Sequence, residues 1–386
     1  MTANKHNTQT QEERAVVEIA GAGPAGLAAA ITLARGGRQV IVYETHKEVG
    51  HRFGGDFQGL ENWTTRENVF SVLESQGITT DFTAPPGNNC TIFDPKGKAY
   101  HVKSDQPLFY LVERGPGPNS FDTALLKQAR SLGVEVRFNT RLREIREEGI
   151  LAAGPRAADA IAVGYHFKTD MADGYWAICD NDLAPQGYAY LLVYNGRGTV
   201  KTCMFSGFKQ EKLYLQRTIA AFTRLVGLKM QDPKPHGGSG NFYIPDSAYS
   251  GLHPRVGEQA GFQDTLWGFG MRLAITSGVL AAQSMLSGEN YDTLWKRELK
   301  PQMETSVVNR ALYSIVSNQG FSWFLRHLAS KPNVRDSLRW QYHASFVKRV
   351  LKPWANRRFE SHRKDVTCNH VDCHCIWCRG ECCVRD

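Results

Sequence analysis

Three glycines, Gly21, Gly23 and Gly26, fall inside VEIAGAGPAGLAAAI, between a short apolar run and an alanine-rich segment. That spacing suits a backbone that must grip a pyrophosphate. Gly21 permits a tight turn, Gly23 lets the chain approach the phosphates, and Gly26 lets a helix pack closely on a strand. Pro24 and Ala25 open the helix, whose unsatisfied first-turn amides and partial positive charge attract an anion without any lysine. Glu44 follows Gly26 by 18 residues, at the end of a second apolar run. An acid at that interval accepts hydrogen bonds from an adenosine ribose and repels the additional phosphate of NADP. A turn that merely packed a helix on a strand would have no use for it.

A second concentration of reactive side chains lies at the other end. The stretch CNHVDCHCIWCRGECC holds six of the nine cysteines. Cys375 and Cys378 form a Cys-x-x-Cys pair, and Cys368 and Cys373 complete a tetrahedral set. Such density in a chain without a secretory signature points to metal or redox chemistry more than to disulfides. Zinc is the first candidate, an iron–sulfur cluster the second, and an oxidisable tail without metal is the plain alternative. Cys90, Cys179 and Cys203 stand alone and read as small buried apolar residues. No P-loop, nucleophile motif or His-Glu-x-x-His helix supports a kinase or hydrolase.

The elements that must position these groups follow from periodicity. Residues 15–20, 25–34 and 39–43 read as strand, helix and strand, a βαβ start of normal length. Residues 121–132 read as a helix, with strands at 134–139 and from Gly149 into the turn at Pro155. In GYAYLLVY, Tyr188, Tyr190, Leu192 and Tyr194 fall on one face of a strand, while Ala189, Leu191 and Val193 fall on the other. QDPKPHGGSGN, residues 231–241, reads as a loop. From Tyr291 onward the patterning is helical. The expected fold class is α/β, a Rossmann-like dinucleotide-binding domain with a second, mixed-sheet domain and a helical C-terminal region. The expected boundaries are 14–60, 113–164 and 244–290 for the first, 61–112 and 165–243 for the second, 291–360 for the helices and 361–386 for the tail.

At 386 residues, 42% apolar and 22% charged, the chain can bury the cores of two lobes. No apolar run suffices to cross a bilayer, and the polar first dozen residues lack a secretory core, so a cytoplasmic protein is expected. The net charge is +8, with a pI near 9.0. Between Arg339 and Lys364, eight bases (Arg339, Lys348, Arg349, Lys352, Arg357, Arg358, Arg363, Lys364) face the single acid Glu360, with Trp340, Tyr342, Phe346, Val350, Leu351, Trp354 and Phe359 interleaved. Two readings stand: a packed helix with a solvated basic face, or a peripheral contact with an anionic lipid surface. No nucleic-acid-binding signature accompanies the charge.

RVGEQAGFQDTLWGFGMRLAITSG, residues 255–278, favours flavin over nicotinamide. A glycine-rich entry into a helix presents backbone amides and a helix dipole to a ring whose reduced form is anionic. With GAGPAGLAAA, the segment 113–142 and AAGP at 152–155, this stretch resembles the flavoprotein family of geranylgeranyl reductases, which shares the fold of the aromatic hydroxylases. The resemblance reaches about residue 290. It implies cofactor contacts at Arg114, Gly154, Gly257, Phe269 and Met271, with Glu258 replacing the usual ribityl aspartate, and it lays Gly268 and Gly270 against the isoalloxazine ring. It also places Tyr188 and Tyr190 on the substrate side. Two departures stand out: FGGDFQG occupies the place of a cysteine and glutamate, and tyrosine replaces a tryptophan on the substrate strand.

The implied activity is FAD-dependent reduction of a double bond in an apolar, isoprenoid or lipid-like substrate; the electron donor stays open among NAD(P)H, ferredoxin and the tail as an iron–sulfur relay. No catalytic proton donor can be named; Tyr188 and Tyr190 are candidates by position alone. A flavin monooxygenase or halogenase, and a non-enzymatic scaffold bearing flavin or metal, are the alternatives.

Overall fold

The computed structural model describes residues 15–155 and 158–359. Strand β1 (Val17–Ala20), helix α1 (Pro24–Arg35) and strand β2 (Val40–Tyr43) form the opening βαβ unit. After β3 (Asp56–Glu61), α2 (Val69–Ser75) and the two-residue β4 (Pro86–Gly87) come β5 (Asn89–Phe93), β6 (Ala99–Lys103) and β7 (Phe109–Arg114). Helix α3 (Phe121–Ser131), β8 (Glu135–Arg137) and β9 (Glu148–Leu151) then return to the first unit. The order β8-β2-β1-β9 makes a wholly parallel sheet. Val17, Ile19, Val42 and Ile150 are buried in it beneath α1. Such a sheet needs cover on both faces, which explains its near-continuous apolar strands.

The second sheet has seven strands in the order β14-β10-β13-β12-β11-β5-β6, drawn from β10 (Ala160–Lys168), β11 (Gly174–Ile178), β12 (Tyr188–Tyr194), β13 (Arg197–Met204) and β14 (Gln231–Gly240). Helix α4 (Glu211–Val226) covers one face. Ala189, Leu191 and Val193 point to that side and are fully buried with Phe222. Tyr188, Tyr190 and Leu192 point the other way, into a cavity between the sheet and the first unit. Residues 231–241, expected as a loop, include this sheet's edge strand β14, paired antiparallel with β10. Pro233 and Pro235 misled that expectation: proline cannot donate to a ladder, but at an edge it need not.

A small sheet, β3-β7-β4, joins the two larger ones. The chain then runs through α5 (Met271–Ser287), α6 (Tyr291–Glu298), α7 (Lys300–Ile315), α8 (Asn318–Ala329), α9 (Val334–Gln341) and α10 (Phe346–Phe359). No described helix is long and apolar enough to cross a membrane. The cysteine-rich stretch, with Cys368, Cys373, Cys375 and Cys378, lies outside the described residues.

Candidate functional site

One continuous cavity of about 690 Å³ runs from the glycine turn to the tyrosine face of β12. At its far end Gly21 has φ near +110°, and a side chain there would meet the Ala152 carbonyl at 2.3 Å. Gly26 does not line the cavity; a Cβ at that position would fall 2.0 Å from the Gly21 carbonyl, so its role is the close packing of α1 on the turn. Gly23 is different: a Cβ would meet nothing within 4 Å, because that direction is the cavity itself. Gly23 also caps α1 without any side-chain hydrogen bond, and Pro24 occupies the first turn. The uncapped amides therefore face open space, which is the arrangement a diphosphate needs.

Glu44 closes this end. Its carboxylate accepts from the Ala22 amide at 2.9 Å and from the His46 amide at 3.0 Å, while still lining the cavity. Pro24, Ala25, Gly154 and Gly257 line it as well. Residue 256 is extended, but Gly257 already begins a short 3-10 turn and does not end a strand. Glu258 lines the cavity and pairs with Arg52 at 2.7 Å. Arg114 reaches the cavity but is anchored from behind: its guanidinium donates twice to Asp122, both at 2.9 Å, and once to Gln58 at 3.1 Å. The pair is buried, and the Phe53 ring lies 4.0 Å from the guanidinium. Arg114 is thus a strut for the 50–55 loop, leaving two of its five N–H groups for a ligand.

Gly268, Phe269, Gly270 and Met271 form the opposite wall at the start of α5. Asp264 builds this loop. It accepts from the Trp267 amide at 2.7 Å and from the Tyr342 hydroxyl at 3.0 Å, and its own amide donates to the Phe269 carbonyl. Burial pushes its carboxyl pKa up. Arg310, fully buried in α7, donates to the carbonyls of Thr265, Leu266 and Gln186 and stiffens the same segment.

Tyr188 and Tyr190 supply the aromatic wall. Tyr188 donates to the Trp267 carbonyl at 2.6 Å, and burial raises the pKa of both phenols well above the ordinary value. Neither is suited to release a proton. Cys90 and Cys203 also line the wall. Burial pushes the thiols of Cys90, Cys179 and Cys203 up to about 12, which makes them inert.

The group that sequence reading missed is an ion cluster at the cavity wall. Lys201 of β13 donates to the Asp56 carboxylate at 2.5 Å and to His236 Nδ1 at 2.7 Å. His166 Nε2 lies 3.1 Å from the other Asp56 oxygen, and the two imidazoles stack with centroids 4.3 Å apart. His236 Nε2 lies 2.8 Å from the Arg52 carbonyl. A carbonyl only accepts, so Nε2 carries the proton and Nδ1 is the acceptor for lysine. Gly164 sits opposite Lys201 in the β10–β13 ladder and opposite His236 in the β10–β14 ladder. A Cβ there would crowd the Lys201 Cγ at 2.7 Å, so the glycine gives lysine its path. Asp56, His166 and His236 could together ligate a metal, but the ammonium already occupies the position between two of them.

Burial alone would push the Asp56 carboxyl pKa up. The Lys201 ammonium and the His166 hydrogen bond overcome it and hold the carboxyl well below the usual range. Burial, then the Lys201 charge, lower His236 to about 4. The unfolded chain therefore takes up a proton on this imidazole near pH 6.5, whereas the folded chain refuses it until about pH 4. Stability contributed by neutral His236 is complete above pH 6.5 and declines as the pH falls through that window, by about 3 kcal/mol. Thermal unfolding between pH 7 and pH 4 should be flatter for His236→Gln; an equally steep profile in the variant would refute the assignment.

In sequence and fold the chain is similar to known proteins. Residues 19–58 match the family of NAD(P)-binding Rossmann-like domains. The chain is 24% identical to the digeranylgeranylglycerophospholipid reductase of Haloferax volcanii, over 82% of this chain and 90% of that one. Its fold is similar to a geranylgeranyl bacteriochlorophyll reductase-like protein of Thermoplasma acidophilum, with a TM-score of 0.68 at 18% identity over 89% of this chain and 98% of that one. A flavin-dependent brominase follows at a TM-score of 0.65 and 13% identity, over 89% and 99% of the two chains. The fold is the one shared by FAD-dependent oxidoreductases. Within that class the chain aligns with the geranylgeranyl reductase-like flavoproteins.

Proposed function

We propose that the chain reduces a double bond in an apolar, isoprenoid or lipid-like substrate. The observation that carries this reading is the shape of the cavity: an uncapped helix end and Glu44 at one extremity, and an aromatic wall of Tyr188, Tyr190 and Phe269 at the other. The fold relatives include reductases of geranylgeranyl compounds, which supports the isoprenoid class. When bound, FAD supplies the hydride, so the chain itself must position the double bond, exclude water and provide one proton.

The backbone amides of the turn from Gly21 to Ala25 would hold the diphosphate, Glu44 the ribose, and the Gly268 to Met271 loop the ring. Lys201 Nζ is the proton donor. An ammonium has three N–H groups; among the described residues Asp56 and His236 accept from two of them, and the side chain forms part of the cavity wall. Nζ would deliver the proton to one carbon of the double bond as the other becomes saturated, and would recover it from solvent after product leaves. Electrons enter from NAD(P)H or a ferredoxin. For Cys368, Cys373, Cys375 and Cys378 we propose zinc, with an iron–sulfur cluster as the alternative, which elemental analysis and an absorption spectrum of the purified chain would distinguish.

Turnover without oxygen tests the main reading. Chemically reduced holoprotein, incubated anaerobically with a geranylgeranyl lipid, should yield product heavier by two hydrogens per reduced bond. A product formed only with oxygen, hydroxylated or halogenated, would replace the proposal with the oxygenase chemistry of the fold's other members. A folded protein that binds no flavin would leave a scaffold.

A further inference from the structure

The C-terminal helices carry an apolar surface that the fold leaves uncovered. Trp340, at the end of α9, is 75% exposed; on α10 Phe346 is 77%, Val347 64%, Val350 61% and Trp354 40% exposed. At about 100° per residue, the four α10 side chains fall within roughly 100° of arc. Ala355, buried against α7, lies on the other side, as does Lys352, which pairs with Glu304. The stripe is therefore a solvent face, not a displaced core. Tyr342 and Leu351, interleaved with these residues in sequence, turn inward and do not belong to it.

Charge says what the face fits. From residue 337 to residue 359 the chain has six lysines and arginines and no acid. Lys348 and Lys352 are tied back to the Gln341 carbonyl and to Glu304, and Arg339 pairs with Asp336. Arg349, Arg357 and Arg358 have no carboxylate partner among the described residues, and on the helical projection Arg357 lies within the apolar arc and Arg349 and Arg358 beside it. Aromatic and aliphatic side chains rimmed by arginine are the pattern of a helix lying in a headgroup layer. A second copy of the same face would bring arginines against arginines. The chain's own residues 361–386 hold four bases and four acids, and so offer no net opposite charge.

We propose that the outward face of α9 and α10 docks on an anionic lipid bilayer. The face is joined to the cavity by a short path. Two residues after Trp340, Tyr342 turns inward and donates to Asp264, which organises the loop leading to Phe269 at the cavity wall. A bilayer seated here would lie against the helices that support the substrate side of the site. The inference goes beyond the reductase reading and does not depend on it, because docking needs no turnover.

The test is flotation of the full chain with vesicles of equal parts phosphatidylglycerol and phosphatidylcholine, compared with phosphatidylcholine alone. The native chain should float with the anionic vesicles and lose binding in high salt. Arg349→Gln with Arg357→Gln should lower partitioning by roughly 25-fold, and Phe346→Glu with Val350→Glu by at least about tenfold. All four side chains are solvent-exposed and lie outside the cavity, so flavin content and thermal unfolding should remain native in both double variants and report an intact fold. No flotation of the native chain, or equal flotation of the variants, would overturn the proposal. A concentration-dependent dimer abolished by Phe346→Glu with Val350→Glu, without lipid binding, would assign the face to a second copy. Vesicle binding that appears only after removal of residues 361–386 would assign it to the tail.

Discussion

Gly23→Glu should lose flavin while the fold survives. A Cβ at position 23 touches no protein atom within 4 Å, so the polypeptide has no steric reason to reject the change. The new side chain instead occupies the space over the uncapped first turn of α1, and its carboxylate repels the diphosphate that the helix end attracts. We expect FAD affinity to fall at least about 100-fold, roughly 3 kcal/mol, read from the visible absorption of the purified protein and from titration of the apoprotein. Apo-state unfolding should match that of the parent apoprotein. The neighbouring Gly26→Ala provides the opposite result: its Cβ would sit 2.0 Å from the Gly21 carbonyl oxygen, so helix and turn must separate. That variant should unfold at lower temperature by about 1 to 3 kcal/mol even without flavin. Native flavin content in Gly23→Glu would show that the phosphates are held elsewhere.

What could be read in the sequence was local. The βαβ unit, the glycine turn and Glu44 lie within 30 residues, where spacing fixes geometry, and β12 announced its tyrosine face by strict alternation. Asp56, His166, Lys201 and His236 could not be grouped, because they come from β3, β10, β13 and β14 and meet only through the register of a sheet. His236 was further concealed inside a segment whose prolines mark a loop unless the strand is known to be an edge. Arg114 shows a subtler loss. Its place at the cavity was legible, but Asp122, eight residues on, is what holds it there. The basic stretch after residue 337 was legible as composition, whereas burial alone separates Tyr342 and Leu351 from the side chains that face out.

Lys201→Met should remove both stability and turnover, and a second substitution separates the two. Asp56 is fully buried, so taking away its ammonium leaves a carboxylate with only His166 and Gln58 as partners. Breaking a buried pair in this way costs about 3 to 5 kcal/mol. Asp56→Asn in the Lys201→Met background removes the uncompensated charge and should recover most of that loss, giving a folded, flavin-loaded protein. If lysine served only as a counter-ion, the double variant would turn over normally. As the proton donor its absence should persist, lowering turnover by roughly 100-fold to 10,000-fold, the range over which a positioned general acid contributes. Reduction of the bound flavin by an external donor should be unchanged, because that half of the cycle takes no proton from Nζ. A double variant with native turnover would leave Lys201 a structural cation and return the proton to solvent.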